Sequence, residues 1–239
     1  MIDIQMNEEM NLLINTEFID ANDSDNERDN NIDNDYCVNN QLIICEPDNS
    51  DIIISLDLRN LIPDHIKKTD KLIVVLDLDE TLICARLYKF LIRNYACELI
   101  YDLKKLGVII IVWSGGNKDH VESSLVKLNV FDDIDFIITR EMYARTDNVE
   151  PKDLSIISEK MNNIILIDDN VKCLRCNVDN AILIPAFIGQ SDDRVLIGVY
   201  NLLAIITKRL SQHTVPEILC QLCKQTSIIH GFNDCYEYR

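Results

Sequence analysis

Asp77 and Asp79 stand two residues apart at the end of an apolar run, within Lys-Leu-Ile-Val-Val-Leu-Asp-Leu-Asp-Glu-Thr at positions 71–81. Successive strand side chains alternate faces, so residues i and i+2 share one. Both carboxylates therefore converge where the strand ends. Two like charges so close make each other harder to ionise. Such a pair serves chemistry when a cation neutralises it, or when one acid attacks while the other handles a proton. The competing reading is an acidic strand-to-helix turn, with Asp79 or Thr81 as an N-cap.

Other polar residues fall at comparable places along the chain. Ser114-Gly115-Gly116 follows a second apolar run, Val108–Trp113, and Asp168-Asp169 closes a third, Ile164–Ile167. Lys152 opens the segment before that third run. Carboxylates at Asp77, Asp168 and Asp169 suit Mg2+, which takes oxygen ligands and leaves room for phosphate and water. A hydroxyl followed by two glycines lets backbone N–H groups approach an anion. Lys152 adds a positive charge for phosphate oxygens. Taken singly, Ser114 is equally a turn residue, Lys152 a solvated lysine and Asp168-Asp169-Asn170 a polar turn.

The elements that must position these residues alternate. Strands are predicted at Leu72–Leu76, Val108–Trp113, Phe136–Thr139, Ile164–Ile167 and Ala181–Pro185. Helices are predicted at Leu87–Leu106, Lys118–Leu128, Lys152–Met161 and Asp192–Leu210, and Ile52–Leu58 reads as a strand or edge segment. The strands are continuous β-branched runs, as in a parallel sheet covered on both faces. The expected fold class is α/β, a doubly wound, Rossmann-like parallel sheet. Ligands of such sheets bind outside the carboxyl ends of the strands, at the topological switch point. All the polar residues named above belong there.

Composition narrows the function. The chain has 239 residues, 47% hydrophobic, with a formal net charge of −17. Phosphates repel such a surface, so direct nucleic-acid binding is not expected and a basic partner is. Asp20–Asp35 holds seven acids and five asparagines, and residues 1–50 read as an acidic, largely disordered tail. No segment resembles a signal peptide or a bilayer span, and Val195–Ile206 reads as a buried helix. An intracellular setting, cytoplasm or nucleus, is expected. Residues 51–210 are then expected to form the main folded domain and 211–239 a cysteine-containing, short helical appendage.

Asp77-Leu-Asp-Glu-Thr-Leu82, Trp113-Ser114-Gly115, Lys152 and Asp168-Asp169 resemble the four motifs of the haloacid dehalogenase superfamily of phosphohydrolases. Within it the chain resembles the RNA polymerase II carboxy-terminal-domain phosphatases, the NLI-interacting-factor-like group. Leu61-Ile-Pro, Arg140-Glu141, Lys152-Asp-Leu-Ser155 and Asp179-Asn-Ala181 carry that narrower likeness, which covers about residues 60–210. The resemblance implies a Mg2+-dependent phosphatase, with minimal cap, acting on phosphoserine or phosphothreonine in a protein. It implies Asp77 as nucleophile and metal ligand, and Asp79 as acid, then base, with its carbonyl on the metal. Thr81, Ser114, Gly115 and Lys152 would hold the phosphoryl group, Asp168 and Asp169 would complete the metal site, and Arg140 would touch substrate. Only about a dozen residues separate Thr81 from the following helix near Arg93, where the group carries a longer strand-rich insertion. That departure puts the polymerase tail in doubt as substrate.

The Asn, Ile and Asp bias and the acidic tail suggest an AT-rich genome, and a likeness in kind to insect-virus phosphatases that act in nucleocapsid assembly on a protamine-like protein. Two alternatives stay open: a small-molecule phosphomonoesterase of the same superfamily, and a non-catalytic adaptor on a phosphatase fold. The pairs Cys173/Cys176 and Cys220/Cys223, with His230 and Cys235 beyond, have knuckle spacing for zinc but lack the usual glycines. Small buried apolar cysteines are the expected reading.

Overall fold

Four short β-branched runs and Ala181–Leu183 build one sheet in the computed structural model, which describes residues 58–85, 89–143 and 152–225. The strands are β1 (Ile73–Leu76), β4 (Ile109–Trp113), β5 (Phe136–Ile138), β6 (Ile164–Asp168) and β7 (Ala181–Leu183). A separate antiparallel pair, β2 (Ile83–Cys84) and β3 (Leu91–Ile92), lies between β1 and β4 in sequence. The large sheet is parallel throughout, in the order β5-β4-β1-β6-β7. Leu76 is in register with Val112 on one side and Ile167 on the other. The chain first winds outward through β4 and β5, then returns to the far side of β1. The switch point is therefore the junction of β1 and β6, where Asp77 and Asp168 emerge.

Every residue of β1, β4 and β6 is buried. Ile73, Val75, Ile109, Ile111, Ile164 and Leu166 share one face, and pack with Leu58, Ile62, Ile66, Leu154 and Ile157. Val74, Leu76, Ile110, Val112, Ile165 and Ile167 alternate with them and are also buried. Burial on both faces is why the strands read as unbroken apolar runs.

Four helices of ten residues or more occur among the described residues: α1 (Ala96–Leu106), α2 (Lys118–Lys127), α3 (Val195–Arg209) and α4 (Val215–Gln225). Helix α1 buries Ala96, Leu99, Ile100 and Leu103 and packs against α3. It ends at Gly107, whose φ of 73° favours glycine. Helix α3 buries Leu196, Val199, Leu203 and Ile206, in line with the buried helix expected there. No helix among the described residues is long and apolar enough to cross a membrane.

Two expected helices are corrected. Leu87–Leu106 is helical only from Ala96; Leu91 and Ile92 belong to β3, and Tyr95 takes a left-handed φ of 69°, which a continuing helix does not permit. Lys152–Met161 contains only a 3-10 turn, Leu154–Ile156. There Asp153 accepts a bond from the Ser155 N–H and the Ser158 hydroxyl donates to the Lys160 carbonyl, local bonds that compete with a helix. Short helices at Arg140–Tyr143 and Val171–Leu174 were not expected from the sequence. The tail of residues 1–50 and the segment 52–57 lie outside the described residues, while Leu58 opens a helical turn, Leu58–Leu61.

Candidate active site

The ladder positions Asp77 directly: its N–H donates to the Ile167 carbonyl at 3.0 Å, one step beyond β1. Leu78 is fully buried, which turns Asp77 and Asp79 together toward the strand ends. Behind them the backbone reverses at Glu80, with φ of 61°, and the Glu80 N–H donates to the Ile83 carbonyl at 2.7 Å. Ser114 follows β4 in the same way, its N–H donating to the Ile138 carbonyl at 3.0 Å. Its Oγ accepts the Gly116 N–H at 2.9 Å.

Lys152 sits on irregular backbone, and side chains hold it there. Its N–H donates to the Cys173 carbonyl at 3.2 Å, and its carbonyl accepts the Asn177 amide. Asn177 Oδ1 in turn accepts the Leu154 N–H at 3.1 Å. The ammonium so placed donates to Asp77 Oδ1 at 2.7 Å and to Asp168 Oδ2 at 2.6 Å. Lys152, Asp77 and Asp168 are 3%, 8% and 1% exposed. Asp168 also accepts the Asn170 N–H at 2.8 Å.

Charge in this site is out of balance. Ligand oxygens of Asp77, Asp168 and Asp169 lie within 4.8 Å of one another, with one ammonium among them. The Asp77 carboxyl is raised to about 7: burial pushes it up most, Lys152 pulls against that, and Asp168 and Asp169 add to the rise. Asp169 is raised by burial and then by Asp168. Burial alone would lower the Lys152 ammonium, but Asp77 and Asp168 outweigh it and hold it above its ordinary value. Three oxygen donors with a surplus of negative charge fit a hard divalent cation such as Mg2+.

The remaining expected residues gather at the same edge. Asp79 Oδ2 accepts the Ser114 hydroxyl at 3.3 Å, and its Oδ1 lies 2.8 Å from His120 Nε2. Thr81 is fully buried and its hydroxyl donates to Asp169 Oδ1 at 3.4 Å. The Gly115 carbonyl accepts Nε of the exposed Arg140 at 2.6 Å. Sequence reasoning missed His120, Asn177, Arg93 and Asp193. Arg93, 1% exposed, donates to both oxygens of Asp193 at 3.1 and 2.8 Å. It also reaches the carbonyls of Glu80, Thr81 and Pro185, and so grips the turn that carries Asp79.

The cysteines do not assemble. Cys173 is buried and Cys176, Cys220 and Cys223 are exposed, all as free thiols. No cysteine belongs to a group of three or more metal-ligating side chains among the described residues. Burial, then Asp168, pushes the Cys173 thiol up to about 12, which keeps it neutral. Zinc therefore receives no support, and His230 and Cys235 lie outside the described residues.

Residues 72–214 match the sequence model of a family described as NLI interacting factor-like phosphatase, more than half of the chain. The chain belongs to that family. Its fold is similar to that of a haloacid dehalogenase-superfamily hydrolase from Ehrlichia chaffeensis, at 14% identity, 59% of this chain, 98% of that chain and a TM-score of 0.44. It is similar also to the fission yeast RNA polymerase II CTD phosphatase Fcp1 bound to beryllium fluoride, at 12% identity, 70% of this chain, 57% of that chain and a TM-score of 0.42. For a β-phosphoglucomutase-like protein from Thermotoga maritima the figures are 9%, 57%, 100% and 0.44. No curated protein matches this NLI interacting factor-like phosphatase.

Proposed function

We propose that the protein is a Mg2+-dependent phosphoprotein phosphatase, specific for phosphoserine or phosphothreonine, that works through an aspartyl phosphate on Asp77. The observation that carries this reading is the buried Lys152 bridge between Asp77 and Asp168 at the switch point, with Asp169 alongside. An Asp77 oxygen attacks phosphorus as the bond to the leaving oxygen breaks, and Asp79 gives that oxygen a proton. Asp79 then takes a proton from the water that attacks phosphorus, the bond from phosphorus to the Asp77 oxygen breaks, and inorganic phosphate leaves with the Asp77 carboxylate restored. Ser114, Gly115, Thr81 and Lys152 orient the phosphoryl group, and the exposed Arg140 meets the flanking substrate. When bound by Asp77, Asp168, Asp169 and the Asp79 carbonyl, Mg2+ supplies neutralisation of phosphoryl charge.

A protein substrate is favoured by how little of the described chain between β1 and α1 is available to cover the site. Between β1 and α1 the described chain forms a hairpin of two residues per strand, β2 and β3. The net charge of −17 favours a basic phosphoprotein, and the narrowest reading is a packaging protein of a viral nucleocapsid.

Hydrolysis of p-nitrophenyl phosphate tests the chemistry. Turnover is expected with Mg2+, lost in EDTA, and reduced at least about 10³-fold by Asp77→Asn with the fold intact by circular dichroism. A folded, Mg2+-supplied protein that turns over neither this ester nor phosphoserine peptides overturns the proposal. Preference for small sugar or nucleotide phosphates over phosphopeptides overturns the substrate class alone.

A further inference from the structure

We infer that His120 is a positioning residue that aims the Asp79 carboxyl at the leaving oxygen. This rests on the phosphatase reading above and adds to it a residue that neither the motifs nor the spacing of acids pointed to.

His120 lies in the first turn of α2, where Asn117 caps the helix by accepting the His120 N–H at 2.9 Å. From there its Nε2 stands 2.8 Å from Asp79 Oδ1, while Asp79 Oδ2 is turned to the Ser114 hydroxyl at 3.3 Å. The two oxygens thus have separate tasks: Oδ1 is held, and Oδ2 faces the side on which Ser114 orients the phosphoryl group. The imidazole has a shaped seat. A Cβ on Gly116 would come within 2.7 Å of His120 Cδ2 and 3.1 Å of Ser114 Oγ, so only glycine leaves the ring and the hydroxyl in place. Side chains of His120 and Asp79 are 34% and 31% exposed, so the pair is accessible from the surface of the described residues.

Fixing one oxygen matters because a carboxyl free to rotate spreads its proton over two oxygens and many directions. When Nε2–H donates to Oδ1, that oxygen is occupied, and Oδ2 is the one left to carry the proton that the leaving oxygen needs. As the bond from phosphorus to the leaving oxygen breaks and the bond to Asp77 forms, the Oδ2 proton passes to the leaving oxygen. Asp79 becomes an anion, and the bond from Nε2–H becomes charge-assisted and stronger. An interaction that strengthens as the barrier is climbed lowers that barrier.

The test compares esters that need the proton with esters that do not. Serine-type alkyl phosphates have poor leaving groups and depend on the acid, whereas p-nitrophenolate leaves largely unaided. The readout is kcat/KM on both, with Mg2+, for the wild-type chain, His120→Asn and His120→Gln. The asparagine amide is too short to reach Oδ1, and the glutamine amide places an N–H near the position of Nε2. His120→Asn should lose about 10- to 100-fold on a phosphoserine peptide, and at least about tenfold less on the aryl ester. His120→Gln should recover most of the peptide loss. Equal losses on both esters, no loss, or a loss that glutamine does not relieve overturns the inference while leaving the phosphatase intact. A wild-type protein inert to both esters overturns the two together. Thermal melts of each variant identify unfolding, and His120→Gln, nearest in size, carries the comparison if His120→Asn does not fold.

Discussion

Two buried cations tie distant parts of this chain together, and they are matched to their surroundings in opposite ways. The Arg93 guanidinium meets one carboxylate, Asp193, and three carbonyls, so five hydrogen bonds answer its five N–H donors. The Phe187 ring lies 5.6 Å from its centre. Lys152 meets two carboxylates directly, with a third close by. The first arrangement is neutral and complete. The second holds more carboxylates than ammonium groups in a largely buried place, a state that a purely structural ion pair has no reason to keep. The comparison separates the part of the molecule that holds shape from the part proposed to act.

The largest effect should come from breaking the complete pair. Arg93→Ala leaves Asp193 buried without its partner and frees three carbonyls, and is expected to cost about 3–5 kcal/mol in urea unfolding. Arg93→Lys should recover only part, because an ammonium lacks the planar fork. Neither change should depend on Mg2+. Lys152→Ala sharpens the contrast. Its cost in EDTA should be smaller, about 1–3 kcal/mol, since the Asp77 carboxyl, raised to about 7, takes up a proton at modest expense. Added Mg2+ should shrink that cost. Equal, metal-independent losses for Arg93→Ala and Lys152→Ala would erase the distinction.

The smallest effect is the wild type's own response to Mg2+. A carboxyl raised above its unfolded value of 3.8 binds its proton more tightly in the folded state. Its contribution therefore favours the fold at low pH and is lost as pH rises toward about 7. Mg2+ competes with that proton, so stabilisation should be greater at pH 8 than at pH 5.5. At about ten times Kd the gain is about 1.4 kcal/mol, read as about 3–5 °C in Tm. A shift that is larger at pH 5.5 would contradict the assignment of Asp77 to the cation.

The sequence made the acting region more legible than the holding one. Asp77, Asp79, Ser114, Asp168 and Asp169 each follow an apolar run, and the run sets where the chain leaves the sheet. Arg93, Asp193 and His120 have no such marker. Arg93 and Asp193 are a hundred residues apart and meet only through the packing of α1 on α3. His120 is one polar residue on an amphipathic helix until the turn after β4 brings it to Asp79. The hairpin was read as helix because Leu87, Leu91 and Ile92 lie at helical spacing to the residues after them. Leu91 and Ile92 are both about 40% exposed, neither of them committed to a core face.

The grip of Arg93 also bears on the order of synthesis. Asp77 and Asp79 leave the ribosome early, yet the turn behind them is fastened by Pro185 and Asp193, and by the Phe187 N–H, which donates to the Glu80 carbonyl at 2.7 Å. Domains form from their amino-terminal side as the chain emerges, but this contact has to wait for its last member. A nascent or truncated chain that ends before Asp193 carries the full complement of motif residues and lacks the fastening that sets their turn. The turn that carries Asp79 is therefore completed only when the segment from Pro185 to Asp193 has emerged.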